Sequence, residues 1–381
     1  MSEPEPTNPL LEPCRIGVWS LPHRVVMAPL TRSRAAMPGN VPHALNAEYY
    51  AQRTAGRGGA SLIISEATPI SPRAHGYYAT PGIHSGEQVR GWRLVTDAVH
   101  DAGGLIVCQL WHVGRVSHVA LQPAGEPPVG PTDVASQSKT YVDASMARVQ
   151  TSRPRALRTG EVAGIAREFE EAAGRAMDAG FDGVEIHGAN TYILDQFTRD
   201  GMNLRTDEWG GSLENRLRLA LLTTEGVVRA CGADRVGYRI SPLSEHHDAR
   251  DSDPGATFAA LARGLGALGI AYIHAVETWD RATLDPRTPD VIPRVRVAFK
   301  EAHPHPERAA YIANGDYSPA LAGAAIADGW CDAVAFGRPL ISNPDLAARI
   351  RAGAALVPWD RETFYAGGAE GYTDYPAMGA G

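Results

Sequence analysis

The chain has 381 residues, of which 44% are hydrophobic and 21% charged, as in ordinary globular proteins of one large or two medium domains. Its formal net charge of −7 gives no general attraction for nucleic acid or an anionic membrane, so neither is expected as a partner. The four cysteines form no metal or disulfide pattern, the start does not resemble a signal peptide, and no apolar run approaches membrane-spanning length, so we expect a cytoplasmic protein.

Short apolar runs bounded by Gly, Pro or Asp recur along the chain, and helix-like segments rich in Ala, Leu, Glu and Arg lie between them. Eight strand-then-helix units predict an α/β fold, a (β/α)8 TIM barrel that forms a single domain over residues 1–381. A doubly wound open sheet is the alternative. The predicted strands are 25–28, 61–65, 105–110, 183–187, 236–240, 271–274, 311–314 and 333–337, and the clearest helices are 160–179, 213–231, 255–268, 319–328 and 345–353.

The longest interruption of this alternation is the segment 111–158, which follows the third strand and contains several prolines. A long excursion on the carboxyl-terminal side of a barrel strand is usually a lid or cap over the active site. We therefore predict a lid here, part of which could form a hairpin. The segment after Gly353, which contains Tyr365, Tyr372 and Tyr375 among glycines, could close over the same face.

One glycine pattern is misleading. Gly264, Gly266 and Gly269 match the G-x-G-x-x-G spacing of a dinucleotide site, but they end a predicted helix and precede a strand. The dinucleotide fingerprint requires the reverse order, so a Rossmann interpretation is not favoured.

The fourth strand ends in the most informative stretch of the chain, where His187, Asn190 and Tyr192 follow an apolar run. His and Asn can donate hydrogen bonds to a substrate oxygen, and a Tyr hydroxyl can transfer a proton. These groups suit the polarisation and reduction of a carbonyl-like compound. The alternative is that His187 and Asn190 only cap the helix that follows.

Polar residues also end the other strands, and a barrel gathers them around one mouth. Thr31, Gln109 and Arg239 supply a hydroxyl, an amide and a guanidinium, which suit a flat heteroaromatic ring such as a flavin. A polar barrel core with mutual hydrogen bonds is the alternative for Gln109 and Arg239. Gly315, Gly337 and Arg338, after the last two strands, suggest a phosphate site, although Arg338 could instead pair with a surface carboxylate.

Five blocks of the chain then carry a family resemblance, at residues 25–35, 108–117, 187–197, 205–216 and 336–344. Together they resemble the Old Yellow Enzyme family of FMN-dependent ene-reductases, and the resemblance extends from about residue 10 to 376. It implies a single barrel that holds non-covalent FMN at its carboxyl-terminal mouth. It also implies NADPH or NADH as the hydride donor, and a monomer or homodimer.

The resemblance implies a role for each residue of the mouth. Thr31 would hydrogen-bond the flavin carbonyl next to N5, Gln109 would hold the pyrimidine edge, and Arg239 would stabilise negative charge near N1 and O2. His187 and Asn190 would bind the electron-withdrawing oxygen of the substrate, and Tyr192 would donate the proton. Further cofactor contacts would come from Pro29, Leu30, Gly315, Gly337 and Arg338, and the substrate pocket would be lined by Trp111, Phe364 and Tyr365.

The implied reaction has two halves. Hydride passes from NAD(P)H to FMN and then to the β-carbon of an activated alkene, while Tyr192 protonates the α-carbon. The alkene would be an α,β-unsaturated ketone or aldehyde, a nitroalkene or a maleimide.

Three features qualify the resemblance. Thr191 stands where relatives commonly have Gly. This difference affects the local backbone and therefore the direction in which the Tyr192 hydroxyl points. The polar block 205–216 is expected to be structural, with Ser212 as the N-cap of a helix. The cluster 245–248 (Glu-His-His-Asp) is expected at the rim of the site, and no metal is predicted there.

Three other functions are alternatives for a chain of this kind. A Schiff-base aldolase needs a lysine at a strand end, whereas the only lysines are Lys139 in the excursion and Lys300 in a helix. Larger relatives that reduce dienoyl thioesters or oxidise amines need clustered cysteines for an iron–sulfur cluster. A non-catalytic flavin-binding or sensor protein would be favoured by loss of His187, Asn190 or Tyr192, and all three are present.

Overall fold

The computed structural model describes residues 8–277 and 290–379. At its centre, eight parallel strands form a closed barrel, since each strand pairs with the next along the chain and the last pairs with the first. The (β/α)8 prediction is confirmed, and the open-sheet alternative is wrong because the barrel sheet closes on itself. The strands are β1 (Val25–Met27), β2 (Leu62–Ile64), β3 (Ile106–Trp111), β4 (Gly183–His187), β5 (Val236–Ile240), β6 (Tyr272–Val276), β7 (Ala310–Asn314) and β8 (Ala333–Phe336).

The barrel strands are apolar on both faces because helices cover the outside and side chains fill the inside. On β1 the side chain of Val26 packs with the inner core, whereas those of Val25 and Met27 pack with the outer one. An N-terminal hairpin, Cys14–Ile16 with Trp19–Leu21, belongs to the inner core. The ring of Trp19 lies against the start of β4, since a Cβ on Gly183 would come within 2.8 Å of it. The hairpin therefore fills the amino-terminal end of the barrel and leaves the carboxyl-terminal end for a site.

Helices alternate with the strands as predicted. They are α1 (Ala44–Gln52), α2 (Gly86–Asp101), α3 (Thr159–Asp178), α4 (Ile193–Thr198), α5 (Leu213–Cys231), α6 (Pro254–Ala267), α7 (Val291–Ala302), α8 (Pro319–Ala327), α9 (Arg338–Ser342) and α10 (Leu346–Ala352). Ser212 caps α5 as predicted, since its side chain accepts a hydrogen bond from the Asn215 N–H. Gly264 and Gly266 lie in α6, ahead of β6, which confirms that their spacing is not a dinucleotide motif.

The excursion 111–158 contains an antiparallel pair, Lys139–Tyr141 with Arg148–Gln150. Two further residues, Val129–Gly130, pair in parallel with Arg155–Ala156 and return the chain towards α3. The ring of Tyr141 lies 5.8 Å from that of Tyr365, so the hairpin meets the C-terminal segment. Within the part of the chain that the structure describes, no helix is both long and apolar enough to cross a bilayer.

Candidate active site

The ends of β3 and β4 bring three aromatic side chains together at the mouth of the barrel. Trp111 is the last residue of β3 and His187 the last of β4, and the turn after β4 returns Tyr192 to the same place. The rings of His187 and Tyr192 are perpendicular with centroids 4.9 Å apart, and Trp111 lies 5.0 Å from Tyr192. Residues that are separated by up to 81 positions along the chain thus form one wall, as the barrel argument predicts.

His187 is 2% exposed, and burial together with the nearby Arg239 and His274 holds its pKa well below 6.5. Its imidazole is therefore neutral at physiological pH. A neutral imidazole carries one N–H donor, which is what a substrate oxygen needs.

Asn190 and Thr191 form the sharp turn between β4 and α4. Both have left-handed backbones, with φ of 54° and 62°. The Asn190 N–H donates to the Ser241 hydroxyl at 2.7 Å, and the Thr191 hydroxyl donates to the carbonyl of His246 at 2.5 Å. The side-chain oxygen of Asn190 is buried and has no hydrogen-bond partner among the described residues. Neither His187 nor Asn190 supplies a side-chain cap to α4, so the capping alternative is wrong.

Tyr192 is 8% exposed, and burial and the adjacent Tyr77 hold the pKa of its hydroxyl well above 10. The two hydroxyl oxygens lie 3.4 Å apart, and the Tyr77 ring stacks on Trp111 at 5.7 Å. Tyr192 is therefore a neutral phenol that can donate its proton. Sequence reasoning missed Tyr77 because it lies in an irregular loop after β2 with no motif around it.

Gln109 and Arg239 reach into the mouth from β3 and β5, and each has one partner in the barrel core. The side-chain amide of Gln109 donates to Glu185 at 2.7 Å, and the Arg239 Nη2 donates to the Asn314 side-chain oxygen at 2.8 Å. The Nε of Arg239 is buried without a partner in the described part of the chain. Hydrogen bonds within the barrel core thus account for the Gln109 amide nitrogen and the Arg239 Nη2, but not for the other polar atoms of these two side chains.

The loops after β7 and β8 lie side by side, since Asn314 is in register with Ala335. They carry Gly315, Gly337 and Arg338, and a Cβ on Gly337 would come within 3.3 Å of the Leu30 side chain. Arg338 forms an ion pair with Asp316 and lies 5.3 Å from the Trp359 ring. The surface-pair alternative is therefore what the structure shows for Arg338, and its phosphate role stays a prediction.

Pro29, Leu30 and Thr31 are half-buried at the end of β1. The next residues hold the C-terminal segment 363–372. Arg32 donates to the carbonyls of Phe364 and Gly371 at 2.8 Å each, and Arg34 donates to those of Thr363 and Gly368.

The same arginines pack on the stacked rings of Tyr49 and Tyr372, and the Arg34 guanidinium lies 4.5 Å from the centre of the Tyr372 ring. This arginine clamp, Arg32 and Arg34, positions Phe364 and the 45%-exposed Tyr365 beside the hairpin. Arg32 and Arg34 belong to the block 25–35, and no pattern in the sequence indicates their contacts with segment 363–372, so sequence reasoning missed the clamp.

The cluster 245–248 lies at the rim as predicted, with the His247 ring 5.9 Å from that of Tyr192. Its role is to join the excursion to the barrel. His247 Nδ1 contacts the Ser138 hydroxyl at 2.5 Å, and Asp248 accepts from the Gln137 N–H at 2.7 Å. Among residues 8–277 and 290–379, no group of three or more His, Cys, Asp or Glu side chains could hold a metal ion.

The mouth fits a flat heteroaromatic group such as FMN. Three buried polar atoms there have no hydrogen-bond partner in the described residues: the Trp111 Nε1, the Asn190 side-chain oxygen and the Arg239 Nε. Buried polar atoms of this kind usually have a partner, so they point to a polar ligand. Neither lysine is near: Lys139 is exposed in the hairpin and Lys300 of α7 pairs with Asp332 at 3.1 Å.

Comparison with known proteins identifies the family of this chain. Residues 9–356 match the model of the NADH:flavin oxidoreductase / NADH oxidase family. A putative 12-oxophytodienoate reductase 11 of Oryza sativa subsp. japonica is 45% identical, and the match covers 98% of both chains. A flavin oxidoreductase, hxnT, of Emericella nidulans is 42% identical, with 99% of both chains covered.

Solved structures give the same result. A morphinone reductase in complex with tetrahydroNAD has a TM-score of 0.88 and 44% identity, with 97% of both chains covered. An old yellow enzyme homologue from Zymomonas mobilis has a TM-score of 0.89 and 40% identity, covering 97% of this chain and 99% of that one. The fold and site thus define an NAD(P)H-dependent flavin oxidoreductase. The chain belongs to the NADH:flavin oxidoreductase family of Old Yellow Enzymes, which is FMN-dependent.

Proposed function

We propose that the protein is an ene-reductase that reduces activated alkenes, namely α,β-unsaturated ketones and aldehydes, nitroalkenes and maleimides. The observation that carries the proposal is the pairing of a neutral imidazole donor, His187, with a neutral phenol, Tyr192, whose buried rings have centroids 4.9 Å apart. When bound, non-covalent FMN supplies the hydride carrier between NADPH or NADH and the alkene.

FMN would be held from three sides. Pro29, Leu30 and Thr31 would contact it from β1, and Gln109 and Arg239 would meet its polar edge. Arg239 is buried, so its charge would act in a low dielectric and stabilise negative charge on the ring. The phosphate would lie against Gly315, Gly337 and Arg338, which requires Arg338 to exchange its Asp316 partner for the phosphate.

The substrate oxygen would accept hydrogen bonds from His187 and Asn190. These bonds withdraw electrons from the conjugated double bond, so the β-carbon becomes electrophilic and negative charge builds on the oxygen during reduction. Tyr192 would then protonate the α-carbon. Its raised pKa does not prevent this step, because the carbon of a developing enolate is a far stronger base than a phenolate.

Trp111, Phe364 and Tyr365 would line the substrate pocket, and the excursion 111–158 would act as its lid. Trp111 already contacts both His187 and Tyr192, so its ring limits where the alkene can lie. We further propose that the enzyme works in the cytoplasm as a monomer or homodimer.

The test is an anaerobic absorbance titration of the purified protein with NADPH or NADH, followed by 2-cyclohexenone. A yellow flavin spectrum should bleach with the nicotinamide and return with the enone. A protein that binds no FMN would contradict the cofactor assignment. A spectrum that bleaches but does not return would contradict reduction of this enone, and a nitroalkene and a maleimide would then be tried in the same cell.

A further inference from the structure

Glu185 is a buried carboxylate that the proposed reaction does not use. It lies two residues before His187 on β4, so both side chains point into the barrel and Glu185 lies one layer deeper. Its register partner on β3 is Gln109, and its own exposed fraction is 0%. A buried carboxylate is costly unless other groups hydrogen-bond to it, so its partners are informative.

Two side chains donate to this carboxylate from opposite sides. The Gln109 Nε2 donates to one oxygen at 2.7 Å, and the His274 Nδ1 contacts the other at 2.9 Å. The carboxylate oxygens accept these hydrogen bonds, so each partner presents an N–H to Glu185. Burial lowers the pKa of His274, so this imidazole is neutral and carries its proton on Nδ1.

The same bond fixes which end of the Gln109 amide faces the mouth. With its NH2 group held by Glu185, the amide oxygen points away from the carboxylate, and no donor among residues 8–277 and 290–379 contacts that oxygen. The reversed amide would bring two oxygens together beneath the mouth, which is unfavourable in a low dielectric. Gln109 therefore offers a ligand an acceptor rather than a donor.

Glu185 also supplies negative charge beneath Arg239. The carboxylate raises the pKa of that buried guanidinium and so opposes the lowering that burial causes. The hydroxyl of Tyr272, deeper in the barrel, has its pKa raised by burial and by the same carboxylate. The Glu185 carboxylate thus interacts with Gln109 and His274 by hydrogen bonds and with Arg239 and Tyr272 electrostatically.

We propose that Glu185 is a positioning residue of the flavin site. It fixes the Gln109 amide with its oxygen towards the ligand and so selects a ring that presents an N–H donor at that edge. The inference rests on the proposed function, since the pyrimidine edge of a flavin carries one such donor, N3–H, between two carbonyl oxygens. Without the carboxylate the amide rotates freely and the preference is lost.

The experiment measures the affinity of flavin-free protein for FMN and for N3-methyl-FMN, by quenching of flavin fluorescence. The unaltered protein should favour FMN by about tenfold or more, as expected for a buried hydrogen bond with no replacement. Glu185→Leu removes every acceptor at this position at similar volume and should bring the ratio of the two affinities close to one. Glu185→Asp should also lower the ratio, because the shorter side chain withdraws from the Gln109 amide, and it covers the case in which Glu185→Leu does not fold.

Asp345→Asn is the matched control. Its carboxylate is also buried, but it lies at the start of α10 and pairs with Arg349 of that helix. Its loss should therefore leave the ratio of the FMN and N3-methyl-FMN affinities unchanged. A folded Glu185 variant that keeps the full ratio would overturn the inference while leaving the proposed function intact. Failure of the unaltered protein to bind FMN would instead contradict the proposed function.

Discussion

The backbone N–H of Ala189 donates a hydrogen bond to the Nδ1 atom of His187 across 3.3 Å. Nδ1 must therefore be the unprotonated nitrogen, and the proton of the neutral ring lies on Nε2. The turn after β4 thus sets the tautomer that the proposed chemistry needs. It also explains why the residue is a donor although its imidazole carries no charge.

Loss of His187 should weaken the binding of anionic oxygen ligands. A phenolate oxygen would accept from His187 and Asn190 as the substrate oxygen does. His187→Ala is expected to weaken phenol binding roughly 10- to 100-fold, the usual range for a hydrogen bond to a charged group. Absorbance titration of the flavin gives the affinity. The exposed His305→Ala serves as the control, and unaltered phenol affinity in His187→Ala would refute the role.

Tyr192→Phe should separate the two halves of the reaction. Removing the hydroxyl takes away the proton donor, so alkene reduction should slow by about a hundredfold or more, whereas flavin reduction by NAD(P)H should be spared. Stopped-flow absorbance measures each half separately. Tyr238→Phe removes another buried hydroxyl that has no partner in the described residues, and both halves should be unchanged in it. An equal alkene rate in Tyr192→Phe would show that another group donates the proton.

Thr191 combines backbone strain with a hydrogen bond, and two substitutions distinguish them. Its φ of 62° costs a β-branched residue about 1–2 kcal/mol relative to glycine, and its hydroxyl donates to the His246 carbonyl. Thr191→Ala keeps the strain and loses the bond, so it should destabilise by about 1–2 kcal/mol. Thr191→Gly should be the more stable of the two in urea unfolding. The reverse order would mean that strain contributes little here.

The arginine clamp should control the C-terminal segment. Arg34→Met keeps much of the volume but loses its hydrogen bonds to the Thr363 and Gly368 carbonyls. Amide hydrogen exchange across 364–371 should become faster, and the KM for the alkene should rise several-fold with a smaller change in kcat. Arg153→Met, at an exposed arginine of the excursion, is the control. Unchanged exchange in Arg34→Met would contradict the clamp.

Three histidines, His75 and His112 that are buried and His84 that is half-buried, should make the protein acid-labile. Burial lowers the pKa of His75 and His112 to about 3 each and that of His84 to about 4, from 6.5. The unfolded chain binds these protons first, so stability is complete above about pH 6.5 and falls as the pH is lowered towards 4.

Urea unfolding as a function of pH measures this effect. His84→Gln should reduce the slope of the unfolding free energy against pH by up to about 1 kcal/mol per pH unit. His305→Gln, at an exposed histidine, should leave this slope unchanged. An equal slope in His84→Gln would show that its pKa is not lowered in the folded protein.

The barrel could be predicted because its strands are short apolar runs with glycine or proline between them. Eight such strands that alternate with helices are typical of a sheet that closes into a barrel. His187, Asn190 and Tyr192 could be predicted because they follow one such run. Glu185 lies within the same run, and nothing in the pattern shows that its carboxylate meets β3 and β6. Tyr77 and the arginine clamp depend on contacts between distant loops, up to 339 positions apart for Arg32 and Gly371, which local patterns do not encode.

The clamp also has a consequence for how the protein is made. Arg32 is synthesised long before Phe364 and Gly371, and the carbonyls of those two residues accept hydrogen bonds from its buried guanidinium. The wall formed by the end of β1 is therefore completed only when segment 363–372 docks against Arg32.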